Sequence, residues 1–336
     1  MNDQAPQGAY SRSRRHVPVL LEEAIRFLRI LPGGTYVDAT LGLGGHSTAI
    51  ARLLGPEGHL IAFDRDPEAI ESAGARFEEL RAELKDQMPH ITIHAAAFAE
   101  LASWAEPRSL DGILADFGVS SLQLDTAKRG FSFQADAPLD MRMDPRSGAT
   151  AEQVVNQSGE EELANLIYEF GEERRSRRIA RAIVRARPVT TTAQLARVVA
   201  SSAPAIKGDR IHPATRVFQA LRIYVNGELD QIASLLAQAP TLLRPAGRMV
   251  AISFHSLEDR IVKDAFREGR TSGTWQVLTP KPVTATDVEI RSNPRSRSAK
   301  LRAAERMEKP AESGGKIERK PGMKPGRQKD KSLRRG

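Results

Sequence analysis

Apolar and polar positions along this chain follow two periods. Short apolar runs near 35–39, 60–64, 91–95 and 110–116 have the length and make-up of buried strands. Segments of helical period separate them, the clearest at 67–84. Strands alternating with helices predict an α/β fold with a parallel sheet and flanking helices. The next strand-like run is 247–254, more than 130 residues after Asp116. Crossovers in such sheets need only a helix and loops of about 2–6 residues, so the excess reads as an insertion, placed at 126–212. It has helical periodicity at 160–170, 172–186 and 192–203, and a longer periodic stretch at 214–243 leads back to the sheet. An insertion leaving the fourth strand should overhang the carboxyl edge of the sheet, where open α/β folds bind ligands.

The expected organisation is a leader at 1–15, a discontinuous main domain at 16–125 and 213–304, the helical insertion at 126–212, and a tail at 305–336. The tail is rich in Gly, Pro, Lys and Arg and reads as disordered. No internal repeat is seen.

Candidate chemistry begins where the first strand ends, in DATLGLGGHS from Asp38. Glycines at 42, 44 and 45 let a backbone approach a ligand closely, and the helix that follows offers unpaired N–H groups. A nicotinamide-type G-x-G-x-x-G beginning at Gly42 would need glycine at 47, where Ser47 stands. The loop fits an S-adenosylmethionine site better. Asp64 ends the second strand 22 residues beyond Gly42, close to the ~20-residue spacing that brings a carboxylate to ribose hydroxyls. The bland alternative makes Asp64 a cap for the helix starting near Pro67.

Composition narrows the chemistry. Of 336 residues none is cysteine, which removes disulfides, thiolate zinc sites and catalytic thiolates. Methylation at pyrimidine carbon 5 by cysteine attack and radical chemistry on a cysteine-held cluster go with them. Direct displacement onto nitrogen or oxygen is left, with no metal called for. No apolar run approaches the ~18 residues of a membrane span, so a cytoplasmic protein without a membrane partner is expected. The net charge of +8 is unevenly spread: residues 301–336 carry +7 and the first 300 residues only +1. Any polyanion-binding surface on the folded part must be local.

The ordered motifs HVPVLLEEA from His16, DATLGLGGHS from Asp38 and AFDRDPEAI from Ala62 continue with DFGVSSLQLD from Asp116, RGFSF from Arg129 and PLDMRMD from Pro138. GEER from Gly171, HPATRVFQALRIYVN from His212, SFHSLEDRIVK from Ser253 and NPRSRSAKLRAAER from Asn293 follow. Over about 16–306 the chain resembles the bacterial ribosomal RNA small-subunit methyltransferase H family (RsmH/MraW). Phe117 stands where leucine is more usual. The resemblance implies a class I S-adenosylmethionine-dependent methyltransferase fold, Rossmann-like, with an inserted all-helical domain. It also implies methylation of N4 of a cytidine in the decoding region of 16S ribosomal RNA, in the small ribosomal subunit. By motif position it implies cofactor contacts at Gly44, Gly45, His46, Asp64, Phe98, Asp116 and Gln123.

Read as residues, several of these have plainer roles: Phe98 as core, His46 as packing or a cap, Gln123 as an ordinary loop residue. Asp116 ends the fourth strand at the crevice, where an acceptor beside a target amino group would align it and take its proton; holding the cofactor is the other reading. His255, ending the fifth strand, is a second candidate for the target pocket against a structural histidine. Asn226, in the long periodic stretch, is a third. The segment 172–187 holds seven arginines and two glutamates, and Arg174, Arg175, Arg177 and Arg178 are taken as RNA contacts against a solvated face. Arg291, Arg295, Arg297 and Lys300 form a second basic cluster. Amino-group transfer to another base or a protein, and a non-catalytic assembly factor, stay open beside the leading reading. Oligomeric state is not legible.

Overall fold

The computed structural model describes residues 18–204 and 211–308; the expected leader, and the expected tail beyond 308, lie outside them. Helix α1 (Leu21–Leu28) precedes β1 (Thr35–Asp38), α2 (Gly45–Leu54), β2 (His59–Phe63), α3 (Pro67–Leu84), β3 (His90–His94) and β4 (Leu110–Asp116). Five helices of the intervening segment follow: α4 (Ser121–Asp125), α5 (Ala151–Gln157), α6 (Glu160–Gly171), α7 (Ser176–Ala186) and α8 (Thr192–Ser202). Then come α9 (Pro213–Asn226), α10 (Glu228–Leu242), β5 (Leu243–Ser253), α11 (Ser256–Thr271), β6 (Trp275–Val277), α12 (Asp287–Ser292) and β7 (Lys300–Arg306).

The seven strands form one sheet in the order β3-β2-β1-β4-β5-β7-β6. Strands β1 to β5 run parallel, and β7 is antiparallel to both β5 and β6. Both faces are covered, as parallel strands require. On one face α1, α2 and α3 bury Leu28, Ile50, Leu54, Phe77 and Leu80; on the other α10 and α11 bury Ile232, Leu235, Val262 and Phe266. Each such fully buried side chain contributes ~1.5–3 kcal/mol. The sheet is of the Rossmann-like α/β kind that the sequence predicts, with an antiparallel strand β7 next to β5. No helix among the described residues is long and apolar enough to cross a membrane.

Local chemistry sets the helix limits. Asp66 caps α3 by accepting from the Glu68 N–H at 3.1 Å, with Pro67 in the first turn. Asp64 is therefore not the cap. Ser120, Thr150 and Thr191 close capping boxes at α4, α5 and α8.

Three sequence expectations are corrected. The stretch 214–243 is two helices, broken at Gly227, whose φ of +59° lies in the left-handed region. Its first half does not return to the sheet: Val217, Phe218 and Leu221 of α9 pack into the same core as Leu163, Ile167, Ile179 and Leu195. By packing, the helical unit thus extends through α9, beyond the expected boundary at 212. Glu305 and Arg306, assigned to the tail, complete β7 by pairing with Arg248 and Trp275. Arg174 and Arg175 precede α7, because Glu172 turns into the left-handed region at φ +49° and ends α6.

Candidate active site

The carboxyl ends of β1, β2 and β4 surround a cavity of about 300 Å³. It lies where the strand order reverses between β1 and β4, the position at which doubly wound sheets bind ligands. Gly42, Gly45, His46, Asp64, Phe98, Asp116 and Gln123 all line it. Gly44 caps α2 with φ +72°, a conformation that permits the loop to turn into the helix. At Gly45 a Cβ would stand 2.4 Å from Pro18 Cγ, so the entering chain can cross the helix start only over glycine. Phe98 and Phe117 form an aromatic wall, their rings 6.0 Å apart.

Asp64 is anchored by main-chain donors. Its Oδ2 accepts from the Gly42 N–H at 2.8 Å and its Oδ1 from the Asp66 N–H at 2.9 Å. Burial pushes its carboxyl up to about 6, against those same N–H groups. Each oxygen keeps acceptor capacity for a hydroxyl in the cavity.

Asp116 is held through its backbone, whose N–H donates to Thr40 Oγ1 at 2.7 Å. Its side chain is 23% exposed, yet Oδ1 is closed off and makes no hydrogen bond. The accessible surface therefore lies on the Oδ2 side. Burial, then the charges of Asp38 and Glu258, hold this carboxyl well above the ordinary range. Asp38, itself buried, accepts from Ser47 Oγ at 2.6 Å and from the Thr40 N–H at 3.1 Å. His46 Nε2 lies 3.1 Å from the Val19 carbonyl, and its Nδ1 lies 3.7 Å from Asp116 Oδ2.

Gln123 has a structural task beside its place in the wall. Its Nε2 donates to Asp66 Oδ2 at 2.9 Å, and its Oε1 accepts from the Ser120 N–H. Asp66 is fully buried and also pairs with Arg129 at 2.9 Å. Arg129 reaches on to the carbonyls of Arg142 and Met143 at 3.1 and 2.9 Å. This network, absent from the sequence reading, ties the segment after α4 to the end of β2. Its one sequence signal was Asp66 immediately before Pro67, a helix-start pattern.

Asn226 does not line the cavity but braces its wall residue Met143 from behind. Its Oδ1 accepts from the Met143 N–H at 2.7 Å, and its Nδ2 donates to the carbonyls of Met141 and Arg222, both at 2.8 Å. With both ends of the amide engaged and the residue buried, it serves as a strut. His255 caps α11 through Nδ1, and its Nε2 lies 3.0 Å from Glu258 Oε1. It sits behind the cavity wall formed by its neighbour Phe254. Glu228, His255 and Glu258 bring ligand-type atoms within 4.8 Å of one another. The Arg222 guanidinium stands among them, 2.8 Å from Glu228, 3.4 Å from His255 and 3.8 Å from Glu258. The positive charge at that cluster is arginine's own, and Arg222 was not anticipated from sequence.

The expected RNA arginines separate. Arg174, Arg177 and Arg178 are exposed, whereas Arg175 bonds Glu173 at 3.0 Å and the Pro204 carbonyl at 3.0 Å. Glu172 bonds Ser256 and Arg260 of α11, which moors this turn beside the carboxyl edge of the sheet. In the second basic cluster Arg295 pairs with Asp125 and lines the cavity, and Lys300 pairs with Asp259.

The sequence model of the MraW methylase family matches residues 13–307. A ribosomal RNA small subunit methyltransferase H of Acidobacterium capsulatum is 71% identical over 292 residues, covering 87% of this chain and 98% of the relative. The proteins of that name from Koribacter versatilis and a Cyanothece strain are 60% and 49% identical, over 91% and 87% of this chain and 98% and 95% of theirs. A match of that extent, on a chain whose glycine loop and strand-end acids meet at one crevice, makes the protein a member of the MraW methylase family.

Proposed function

We propose that the protein transfers a methyl group from S-adenosylmethionine to N4 of a cytidine in the decoding region of 16S ribosomal RNA, within the small ribosomal subunit. The observation that carries the chemistry is Asp116: a strand-end carboxyl with an accessible oxygen beside the glycine loop and Asp64. The relatives' names supply the substrate class.

The cavity fits the cofactor. Asp64 offers acceptors for two ribose hydroxyls, Phe98 an apolar face for adenine, and the α2 start the positive end of a helix. When bound, S-adenosylmethionine supplies an electrophilic methyl on a positively charged sulfur. Cytosine N4 is a weak nucleophile, because its lone pair is delocalised into the ring. The protein's tasks are to align that nitrogen and to accept a proton as it becomes positive. Asp116 performs both. His255, engaged with Glu258 and the α11 start, supports the wall behind it.

Asp64→Ala is expected to weaken cofactor binding by roughly 10- to 100-fold, since charge-assisted hydrogen bonds are each worth ~1.5–3 kcal/mol. In the wild type, affinity should decline as pH falls through about 6, where the Asp64 carboxylate of the free protein takes up a proton. Calorimetry on the folded variant, and on the wild type across pH, checks both; an unchanged affinity would remove Asp64 from the site.

RNA capture is assigned to the exposed arginines. Neutralising Arg174, Arg177 and Arg178 together should weaken RNA binding, with cofactor affinity retained. The salt slope should fall by about 0.7–0.9 for each phosphate that these side chains no longer neutralise. The accompanying test of substrate class is to incubate labelled cofactor with purified small subunits and separate RNA from protein. Label should follow the RNA; label in ribosomal protein would contradict the proposal.

A further inference from the structure

Three arginines line the cavity, and their partners sort them. Arg65 follows Asp64 directly and donates to the Asn226 carbonyl. Arg295 pairs with Asp125 at the rim, where the two side chains are 38% and 70% exposed. Arg222 differs from both, since its side chain is only 15% exposed and is fixed along one edge. Nε and Nη2 donate to the two oxygens of Glu228, both at 2.8 Å, and Nη2 also lies 3.4 Å from His255 Nε2. Nη1 makes no hydrogen bond to a described residue. The buried side-chain atoms without a partner among the described residues are Asp116 Oδ1, Gln231 Oε1, Ser253 Oγ and Glu258 Oε1, and Nη1 is not one of them. It is therefore open, and what it opens onto is the cavity that Arg222 lines.

Arg222 stands on the Asp116 side of that cavity. Glu258, 3.8 Å from Arg222, acts by its charge on Asp116. A Cβ at Gly118, two residues beyond Asp116, would meet the Phe254 ring at 3.6 Å and Glu258 Oε1 at 3.9 Å. The open nitrogen suits a neutral oxygen better than an anion. Glu228 and Glu258, both buried, already bring two negative charges to one guanidinium. An uncharged carbonyl takes a charge-assisted hydrogen bond there without adding a third.

We propose that Arg222 is a specificity-determining residue of the target pocket, its Nη1 donating to O2 of the cytosine whose N4 faces Asp116. This rests on the reading of Asp116 as the group beside the target nitrogen. N4 and O2 lie at the two ends of one edge of the ring, so holding both fixes the plane of the base and turns N4 toward the methyl. Asp116 alone accepts from any ring amine, and adenine carries one too. Adenine has a C–H where cytosine has O2, so it would close Nη1 off without an acceptor. A buried polar group left unpaired in this way rejects the wrong base more strongly than an apolar pocket rejects a misfit. Bases turned out of a stack are read by such bonds to their pairing edge.

Replacing that oxygen by sulfur, a much weaker acceptor, tests the contact from the RNA side. Small subunits are reconstituted with 16S RNA carrying cytidine or 2-thiocytidine at the position that the wild type methylates. Single-turnover transfer by the full chain is then measured at saturating cofactor. The wild type should be about 10- to 100-fold slower on the thio base, the range for losing a hydrogen bond to a charged group. Arg222→Lys keeps the charge beside Glu228 but has a single nitrogen, which Glu228 holds, so the same sulfur should slow it by less than about threefold. The ratio is internal to each protein, so a general loss of packing or of cofactor affinity does not move it. Should the lysine variant not fold, Arg222→Met combined with Glu228→Gln, in which neither member of the pair is charged, takes its place. A wild type indifferent to the sulfur overturns the proposal. So does a variant slowed by it as much as the wild type, which assigns the effect to the size of sulfur. A fall in cofactor affinity by calorimetry with the ratio unchanged would assign Nη1 to the cofactor carboxylate, and overturns it as well. If the wild type yields N4-methylated cytidine and the sulfur effect does not depend on Arg222, the inference alone falls; if it yields another nucleoside, the reading of the site falls with it.

Discussion

Asp116→Asn is expected to slow methyl transfer by about 10²–10⁴-fold at saturating cofactor, the range for removing a positioned acid–base group. Asparagine keeps the shape and loses the charge and the proton affinity. Cofactor affinity should change by less than about tenfold, because the proposed function assigns that binding chiefly to Asp64 and the α2 start. Were Asp116 only a cofactor contact, affinity would drop first and saturation would restore the rate. Single-turnover kinetics at saturating cofactor separates the two. The same substitution should stabilise the fold at neutral pH. The Asp116 carboxyl titrates higher when folded than when unfolded, so its ionisation costs stability that is lost as pH rises from the ordinary aspartate range toward the raised folded value. A gain in melting temperature accompanied by a loss of rate is the signature of a strained functional group.

The largest effect on stability is expected at Arg129. Its guanidinium and the Asp66 carboxylate are 8% and 0% exposed, and removing one partner of a buried pair costs ~3–5 kcal/mol, because the other charge is left unpaired. Arg129→Met should therefore lower unfolding free energy by about 3 kcal/mol or more. Adding Asp66→Asn should recover part of the loss, since no charge then remains buried. Urea titrations of the single and double variants test this, and a double variant no more stable than Arg129→Met would show that the pair's charge is not the issue. The Arg129 variant should also loosen the cavity, because Arg129 holds the carbonyl of Met143, a wall residue.

The five parallel strands were legible in the sequence because each is a short apolar run with strand-like composition, and the crevice followed from Asp38, Asp64 and Asp116 ending three of them. Gly227 was not read as a break, since a single glycine within a periodic stretch is tolerated in many helices. Only its left-handed backbone separates α9 from α10. The assignment of α9 to the helical core was likewise hidden, because amphipathic period shows that a face is buried and not against what. Glu305 and Arg306 looked like tail because charged residues are poor strand signals, yet Arg248 and Glu305 pair at 2.9 Å across β5 and β7. At the site, Asn226 and Arg175 show the same limit: residue type suggested a ligand, and their partners came from elements far away or from a local carboxylate. Arg222 was missed for the converse reason, since three acceptors that approach it belong to α10 and α11 or to the residue that caps α11.

The central claim is the target atom. Small subunits lacking the modification would be incubated with the protein and isotopically labelled S-adenosylmethionine, the 16S RNA digested, and the labelled nucleoside identified by mass and fragmentation. The account predicts N4-methylated cytidine from a single oligonucleotide of the decoding region. Label in a methylated adenosine, or on carbon 5 or the ribose of a cytidine, would contradict it.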